Sequence, residues 1–235
     1  AEALLRWKHP ERGMISPADF IPAAESAGLM GRLGEWVLRQ CCLQVAAWNK
    51  AGVPPVVVAA NLSAHQLRSN NLVTTMKTLL EETGADGHQI ELELSETDAM
   101  ARADDVAEQF DQLTELGIGV SIDNFGTGYS SLTYLQKFPI RKIKIDGCFI
   151  SDILEKGDDN AIVRAVIALA KTMGLKVLAE GVETQVQLDF LRKENCDMYQ
   201  GYLFSRPISP EELAELAKRP PLTTDQGAGQ DAVDN

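Results

Sequence analysis

An α/β fold built on a parallel sheet, in the form of a TIM-like (β/α)8 barrel, is predicted by three features of this 235-residue sequence. Short apolar runs alternate with amphipathic stretches from one end to the other, the pattern of a parallel sheet covered by helices. The length is close to the roughly 250 residues typical of such a barrel. Acidic or amide residues stand at the exit of one apolar run after another: Asn61 after VVVAA, Glu93 in IELEL, Asp123 and Asn124 after GVSI, Asp146 in KIKID, Glu180 after KVLA and Gln200 beside MY. The carboxyl ends of the strands of a parallel barrel converge on one face, so oxygen ligands in that register meet around a single point.

The elements follow in order. Strands are expected at 2–8, 55–60, 90–94, 118–122, 141–146, 175–179 and 198–203, with helices near 17–29, 33–50, 63–83, 103–116, 130–137, 159–173, 184–194 and 210–218. Ser16 before Pro17 sets an N-cap ahead of a first-turn proline, and Gly117, Gly174 and Gly181 punctuate element ends. Val37, Cys41, Val45 and Trp48 recur at helical period and form a stripe that packs on the sheet. Adjacent Cys41 and Cys42 are not expected both to face the core from one helix. Seven strands do not close an eight-stranded barrel, and the first lies at the first residues, so the expectation is a barrel lacking its first strand and helix in this chain. The barrel is expected over residues 1–218. Residues 219–235, with no periodic apolar face and rich in Pro, Gly and Asp, read as a disordered tail or linker.

With 45% apolar residues the chain can bury a full core. Its formal charge of −12 argues against a nonspecific grip on duplex nucleic acid, which needs clustered Lys and Arg. A phosphate-bearing ligand would be held locally, by metal and a few basic groups. No run of about 18 apolar residues and no basic-then-apolar leader is present, which points to a cytoplasmic protein, or to the cytoplasmic module of a larger or membrane-anchored one. The cysteines, Cys41, Cys42, Cys148 and Cys196, show no C-x-x-C spacing and read as reduced thiols. His9, His65 and His88 have no ligand spacing; His65 and His88 read as surface or structural, and oxygen donors of Glu, Asp and Asn favour Mg²⁺ or Mn²⁺ over a histidine-rich transition-metal site.

The blocks E-A-L-L-R-W, F-I-P-A-A-E-S-A-G-L, N-L-S, E-L-E-L-S-E, S-I-D-N-F-G-T-G-Y-S-S-L, K-I-D, A-E-G-V-E-T and Q-G-Y-L-F-S-R-P occur in this order between about residues 1 and 217. Together they resemble the signature blocks of the EAL-domain cyclic-di-GMP phosphodiesterases. The resemblance implies a TIM-like barrel that opens cyclic-di-GMP to linear pGpG with two Mg²⁺ or Mn²⁺ ions. It makes Glu2, Asn61, Glu93 and Asp123 ligands of one metal, with Asp123 bridging and Asn124 at the second. It makes Glu180 the general base and Lys144 the residue that holds the attacking water or stabilises developing charge. Gln200 is implied near the metal, and Glu96 and Asp146 as anchors of the loop 124–131. Leu4, Arg6, Glu183, Tyr202, Arg206 and Pro207 are implied as contacts to phosphates and guanines; the planar fork of Arg6 suits a phosphate. A homodimer, coupled to the metal site through the Gly126-Thr127-Gly128 loop, and upstream sensory or diguanylate-cyclase-like domains complete the implied picture.

Each assignment has a plainer reading. Glu2 could be an exposed terminal carboxylate, Asn61 a strand-end amide that caps the next helix, Lys144 a strand-end lysine with a solvated head, and the glycine loop an ordinary turn. Glu91 and Glu93 share a strand face by period two, so the residues alone leave both open. The resemblance selects Glu93. Three departures from the family pattern stand out. A tandem Asp-Asp reads Asp123-Asn124, which replaces a carboxylate by a neutral amide and is expected to weaken the second metal. A Thr reads Ser95, which keeps the hydroxyl. The upstream strand and helix are not in the sequence. Two function classes follow: an active metal-dependent phosphodiesterase, or a catalytically weak cyclic-di-GMP sensor signalling to a partner domain. The intact set Glu2, Asn61, Glu93, Asp123, Lys144 and Glu180 favours the first.

Overall fold

The structure, a computed structural model, describes residues 1–68, 71–101, 103–128, 135–154 and 160–219. Near the start, β1 (Trp7–His9) and β2 (Gly13–Ile15) pair as an antiparallel hairpin. The remaining strands described, β3 (Val58–Asn61), β4 (Ile90–Ser95), β5 (Gly119–Phe125), β6 (Lys142–Ile145), β7 (Lys176–Ala179) and β8 (Met198–Tyr199), form one parallel sheet in chain order. Ala1–Ala3 add to its first edge: Ala59 N–H donates to Ala1 O, and Ala3 N–H to Ala59 O, each at 2.8 Å. At the other edge, Gln200 Nε2 donates to Glu2 Oε2 at 2.7 Å, so the two ends of the curled sheet meet. The result is a partial TIM-like (β/α)8 barrel.

Alternation decides which side chains face the barrel interior. Leu92, Leu94, Val120, Ile122, Ile143 and Ile145 are fully buried in the apolar core with the helices. The residues between them on the same strands, Glu91, Glu93, Ser121, Asp123, Lys142 and Lys144, therefore point to the opposite face. A strand buried on both sides tolerates such a polar row only if its members pair with one another.

The helices are α1 (Pro17–Ser26), α2 (Met30–Lys50), α3 (Ala64–Arg68), α4 (Leu72–Thr83), α5 (Glu96–Ala101), α6 (Ala103–Glu115), α7 (Gly147–Ser151), α8 (Ala161–Thr172), α9 (Gln185–Lys193) and α10 (Pro210–Ala217). Ser16 caps α1 by accepting from Ala18 N–H, with Pro17 in the first turn. Among the described residues no helix is long and apolar enough to cross a membrane.

Several expectations change. The strand expected at 2–8 divides, Ala1–Ala3 pairing with β3 and Trp7–His9 turning into the hairpin. The strand expected at 55–60 begins only at Val58, since the prolines at 54 and 55 have no N–H for a ladder. The helix expected at 63–83 is two, α3 and α4, and α5 precedes α6 where one helix was expected. Cys41 and Cys42 are both buried, contrary to expectation, because α2 packs against β3, α3 and α4 and so is covered on more than one side. Most of the helix expected at 130–137, and the tail from residue 220, lie outside the described residues.

The strand expected at 198–203 ends at Tyr199 and gives way to turns. Gly201 fits there because a Cβ would stand 2.1 Å from Val182 O and 2.3 Å from Val182 N. Both atoms are backbone and cannot step aside. Gly201→Ala is accordingly expected to destabilise the protein by about 3 kcal/mol through overpacking, measured as a lower urea midpoint with an unchanged slope.

Candidate active site

Four carboxylates converge on one ammonium at the carboxyl ends of the strands. Lys144, on β6, is 1% exposed, and its Nζ lies 2.6 Å from Glu93 Oε2, 2.8 Å from Glu180 Oε1, 3.4 Å from Asp123 Oδ1 and 3.6 Å from Glu2 Oε2. The carboxylates come from four separate segments: Glu2 beside the sheet edge, Glu93 on β4, Asp123 on β5 and Glu180 just after β7. Glu2 is also held by amides. Asn61 Nδ2 donates to its Oε1 at 2.9 Å and Gln200 Nε2 to its Oε2, which leaves each amide oxygen directed away from that carboxylate.

The charges shift one another. Burial pushes the Glu93 and Glu180 carboxyls up to about 7, an effect that Lys144 only partly offsets. Burial acts the same way on Glu2, but Lys144 and the two amides outweigh it and hold that carboxyl below its usual range. For Lys144 burial opposes the charge, yet Glu93, Glu180, Glu2 and Asp123 raise its pKa well above normal, so it stays an ammonium.

Asn124 follows Asp123 where β5 breaks register with β6. Its φ of 54° is left-handed, a conformation that asparagine tolerates better than most residues. Asn124 N–H donates to Asp123 Oδ1 at 2.9 Å and its Nδ2 reaches Asp123 Oδ2 at 3.4 Å, so the residue steadies its neighbour. Glu96, buried at the start of α5, accepts from Gly126 N–H at 2.9 Å and Gly128 N–H at 3.3 Å, tying down the start of the 124–131 loop. The loop beyond residue 128 lies outside the described residues. Asp146 caps α7 by accepting from Cys148 N–H at 2.7 Å.

The remaining residues singled out in the sequence lie at the protein surface. Leu4, Arg6, Glu183, Tyr202, Arg206 and Pro207 are all exposed. The Arg206 guanidinium lies over the Tyr202 ring, 4.6 Å from its centre, and Arg6 Nη1 donates to Leu5 O. Glu183 is placed by a residue that sequence reading passed over. Gln187, 3% exposed, accepts from Glu183 N–H at 2.8 Å and Thr184 N–H at 2.9 Å, and donates to Ile150 O at 3.2 Å. The Thr184-x-x-Gln187 spacing is a capping box, legible as a helix start but not as a tie to α7. His65 and His88 are exposed, and His88 pairs with Asp86.

Among the described residues no three His, Cys, Asp or Glu are disposed to hold a metal ion, because the ammonium stands between the carboxylates. The donor chemistry nevertheless fits a hard divalent cation. The carboxylates of Glu2, Glu93, Asp123 and Glu180 are already gathered within 3.6 Å of a single positive charge, with the Asn61 and Gln200 amides alongside.

Comparison with known proteins gives this arrangement a context. The family model for the EAL domain matches residues 1–207. The chain is 44% identical over 212 residues, 90% of its length, to MucR of Pseudomonas aeruginosa, a bifunctional diguanylate cyclase/cyclic di-GMP phosphodiesterase, and spans 31% of that protein. It is 43% identical over 217 residues, 92% of its length, to the cyclic di-GMP phosphodiesterase NbdA of the same organism, and spans 28% of it. A solved structure of the PaMucR phosphodiesterase in complex with c-di-GMP superposes with a TM-score of 0.86, covering 90% of this chain and 86% of that one at 44% identity. A parallel barrel with its carboxylates gathered at the strand ends, matched by the family model almost from end to end, places this chain in the EAL-domain family.

Proposed function

We propose that this chain is a metal-dependent cyclic-di-GMP phosphodiesterase that hydrolyses the cyclic dinucleotide to linear pGpG. The convergence of Glu2, Glu93, Asp123 and Glu180 on Lys144 carries this reading, and the named activities of MucR and NbdA support it. Glu2, Asn61, Glu93, Asp123 and Asn124 would hold Mg²⁺ or Mn²⁺. Bound divalent cations would supply charge neutralisation at the phosphate and acidify the attacking water. The chain's own residues do the rest. Glu180 takes a proton from the water as its oxygen bonds to phosphorus and the P–O3′ bond breaks, the departing O3′ taking up a proton from solvent to end as a hydroxyl. Lys144, 2.8 Å from Glu180, orients that carboxylate and offers its charge to the developing anion. Arg6 and Arg206 grip the phosphates, while Leu4, Tyr202 and Pro207 offer flat or apolar surface to the guanines, with Glu183 accepting from a base edge. A cytoplasmic location, a homodimer and attached sensory or diguanylate-cyclase-like domains belong to the same proposal.

The deciding experiment is incubation of the purified protein with cyclic-di-GMP and either Mg²⁺ or Mn²⁺, followed by chromatography. Appearance of pGpG supports the proposal. Tight binding of cyclic-di-GMP without turnover at saturating metal would instead support a sensor.

Asn124 tests the second metal. An amide oxygen is a weaker ligand than a carboxylate and leaves one more unit of positive charge at the site, so wild type should need unusually high metal. Asn124→Asp is expected to lower the metal concentration for half-maximal rate about tenfold, with a smaller gain at saturation. Superimposable Mn²⁺ titrations of pGpG formation for the two proteins would place residue 124 outside the second site.

A further inference from the structure

One pleat below the cage lies a second buried ion pair. Lys142 Nζ contacts Glu91 Oε1 at 2.5 Å, with the two side chains 12% and 11% exposed, and Ser121 Oγ donates to the same oxygen at 2.8 Å. Glu91 and Glu93 share one face of β4, and Lys142 and Lys144 share one face of β6. The same two strands therefore stack two glutamate–lysine pairs, about 7 Å apart along the chain, reaching across β5. Only the upper pair belongs to the site described above.

We propose that Glu91 and Lys142, with Ser121, are positioning residues that keep the Lys144 ammonium aimed upward at Glu93 and Glu180. The inference rests on the metal-dependent reading of the site. A buried carboxylate without a cation is costly, and the next lysine along β6 from Lys142 is Lys144, on a flexible four-carbon stem. With Lys142 lost, Glu91 draws Lys144 down. That movement takes the ammonium from the reacting end, which slows turnover, and it removes a competing positive charge from the cage, which tightens metal binding. With Glu91 neutral, the Lys142 ammonium turns toward Glu93 two residues above, adds positive charge to the cage and weakens metal binding. Removing both charges leaves the upper pair undisturbed.

The test is a cycle of Lys142→Met, Glu91→Gln and the double variant, read by Mn²⁺ titration of thermal stability without substrate and by rates of pGpG formation. Lys142→Met should lower the metal midpoint about threefold or more while kcat falls about tenfold at little change in KM; Glu91→Gln should raise the midpoint by a similar factor; the double variant should return to wild type in both. A merely structural pair would weaken both functions in both single variants. Midpoints that move the same way in the two singles, or a double variant no better than the worse single, overturn the proposal. If Lys142→Met does not fold, return of the Glu91→Gln midpoint to wild type in the double variant carries the same decision. A wild type whose stability ignores both Mn²⁺ and Mg²⁺ overturns the inference together with the metal reading. A wild type that responds to metal but makes no pGpG overturns only the hydrolase reading, and the midpoints still decide the pair.

Discussion

Glu180→Gln is expected to reduce the rate of cyclic-di-GMP hydrolysis by about 100- to 10,000-fold while leaving ligand affinity within a few-fold. The carboxylate acts on the attacking water and makes little contact with the bound ground state, so its loss should appear in kcat and not in binding. Glutamine keeps the shape and can still accept from Lys144, whose Nζ is 2.8 Å away, but it cannot take a proton. The pH profile gives a second check. Burial lifts the Glu180 carboxyl to about 7 in the metal-free protein and bound cations would pull it down, so the wild-type rate should climb as pH rises through that lowered value, where the base becomes available. The residual rate of the variant should lack that limb. Unchanged turnover, or an unchanged pH limb in the variant, would remove Glu180 from the role of base.

The second large effect is expected from Lys144→Met, which removes the ammonium on which four carboxylates converge. Breaking a buried ion pair by deleting one partner typically costs about 3–5 kcal/mol, because the remaining charges stay buried without compensation. Turnover should fall at least about 100-fold, since the charge beside the base is lost with it.

The pH dependence has a definite sign. Folded-state pKa values of about 7 for Glu93 and Glu180 lie above their ordinary 4.5, so between those limits the metal-free folded protein binds more protons than the unfolded chain. Stability of metal-free wild type therefore falls as pH rises through that window. Without the ammonium both carboxyls rise further, and the loss extends to higher pH. Melting in EDTA at about pH 5 and about pH 8 should show the variant close to wild type at the lower value and far below it at the higher one. A deficit equal at both values would mean that packing, not charge, is what Lys144 contributes.

Much of this was legible in the chain itself. Alternation of apolar runs with helical stretches is a local property, and it was enough to predict the parallel barrel and most of its elements. Period two put Glu91 and Glu93 on a common strand face, and the exits of the strands carried the oxygen donors. Residue pattern also marked the helix cap at Ser16 and the break in the Asp-Asp pair at Asn124. Other features depend on atoms far apart in sequence. Nothing local divides Ala1–Ala3 from Trp7–His9, because the division comes from pairing with Ala59. Cys41 and Cys42 are buried together only because neighbouring elements cover α2 on more than one side.

The sequence by itself determined which residues carry charge, which strand face each occupies and that the oxygen donors gather at one end of a barrel, since those follow from composition and a period of two. The tertiary structure alone decided which charge each one meets. Lys144 became the centre of the cage, and Glu91 the partner of Lys142 instead of a rival for the site, because strand tilt and register, set by the packing of the whole sheet, fix distances that no spacing along the chain encodes.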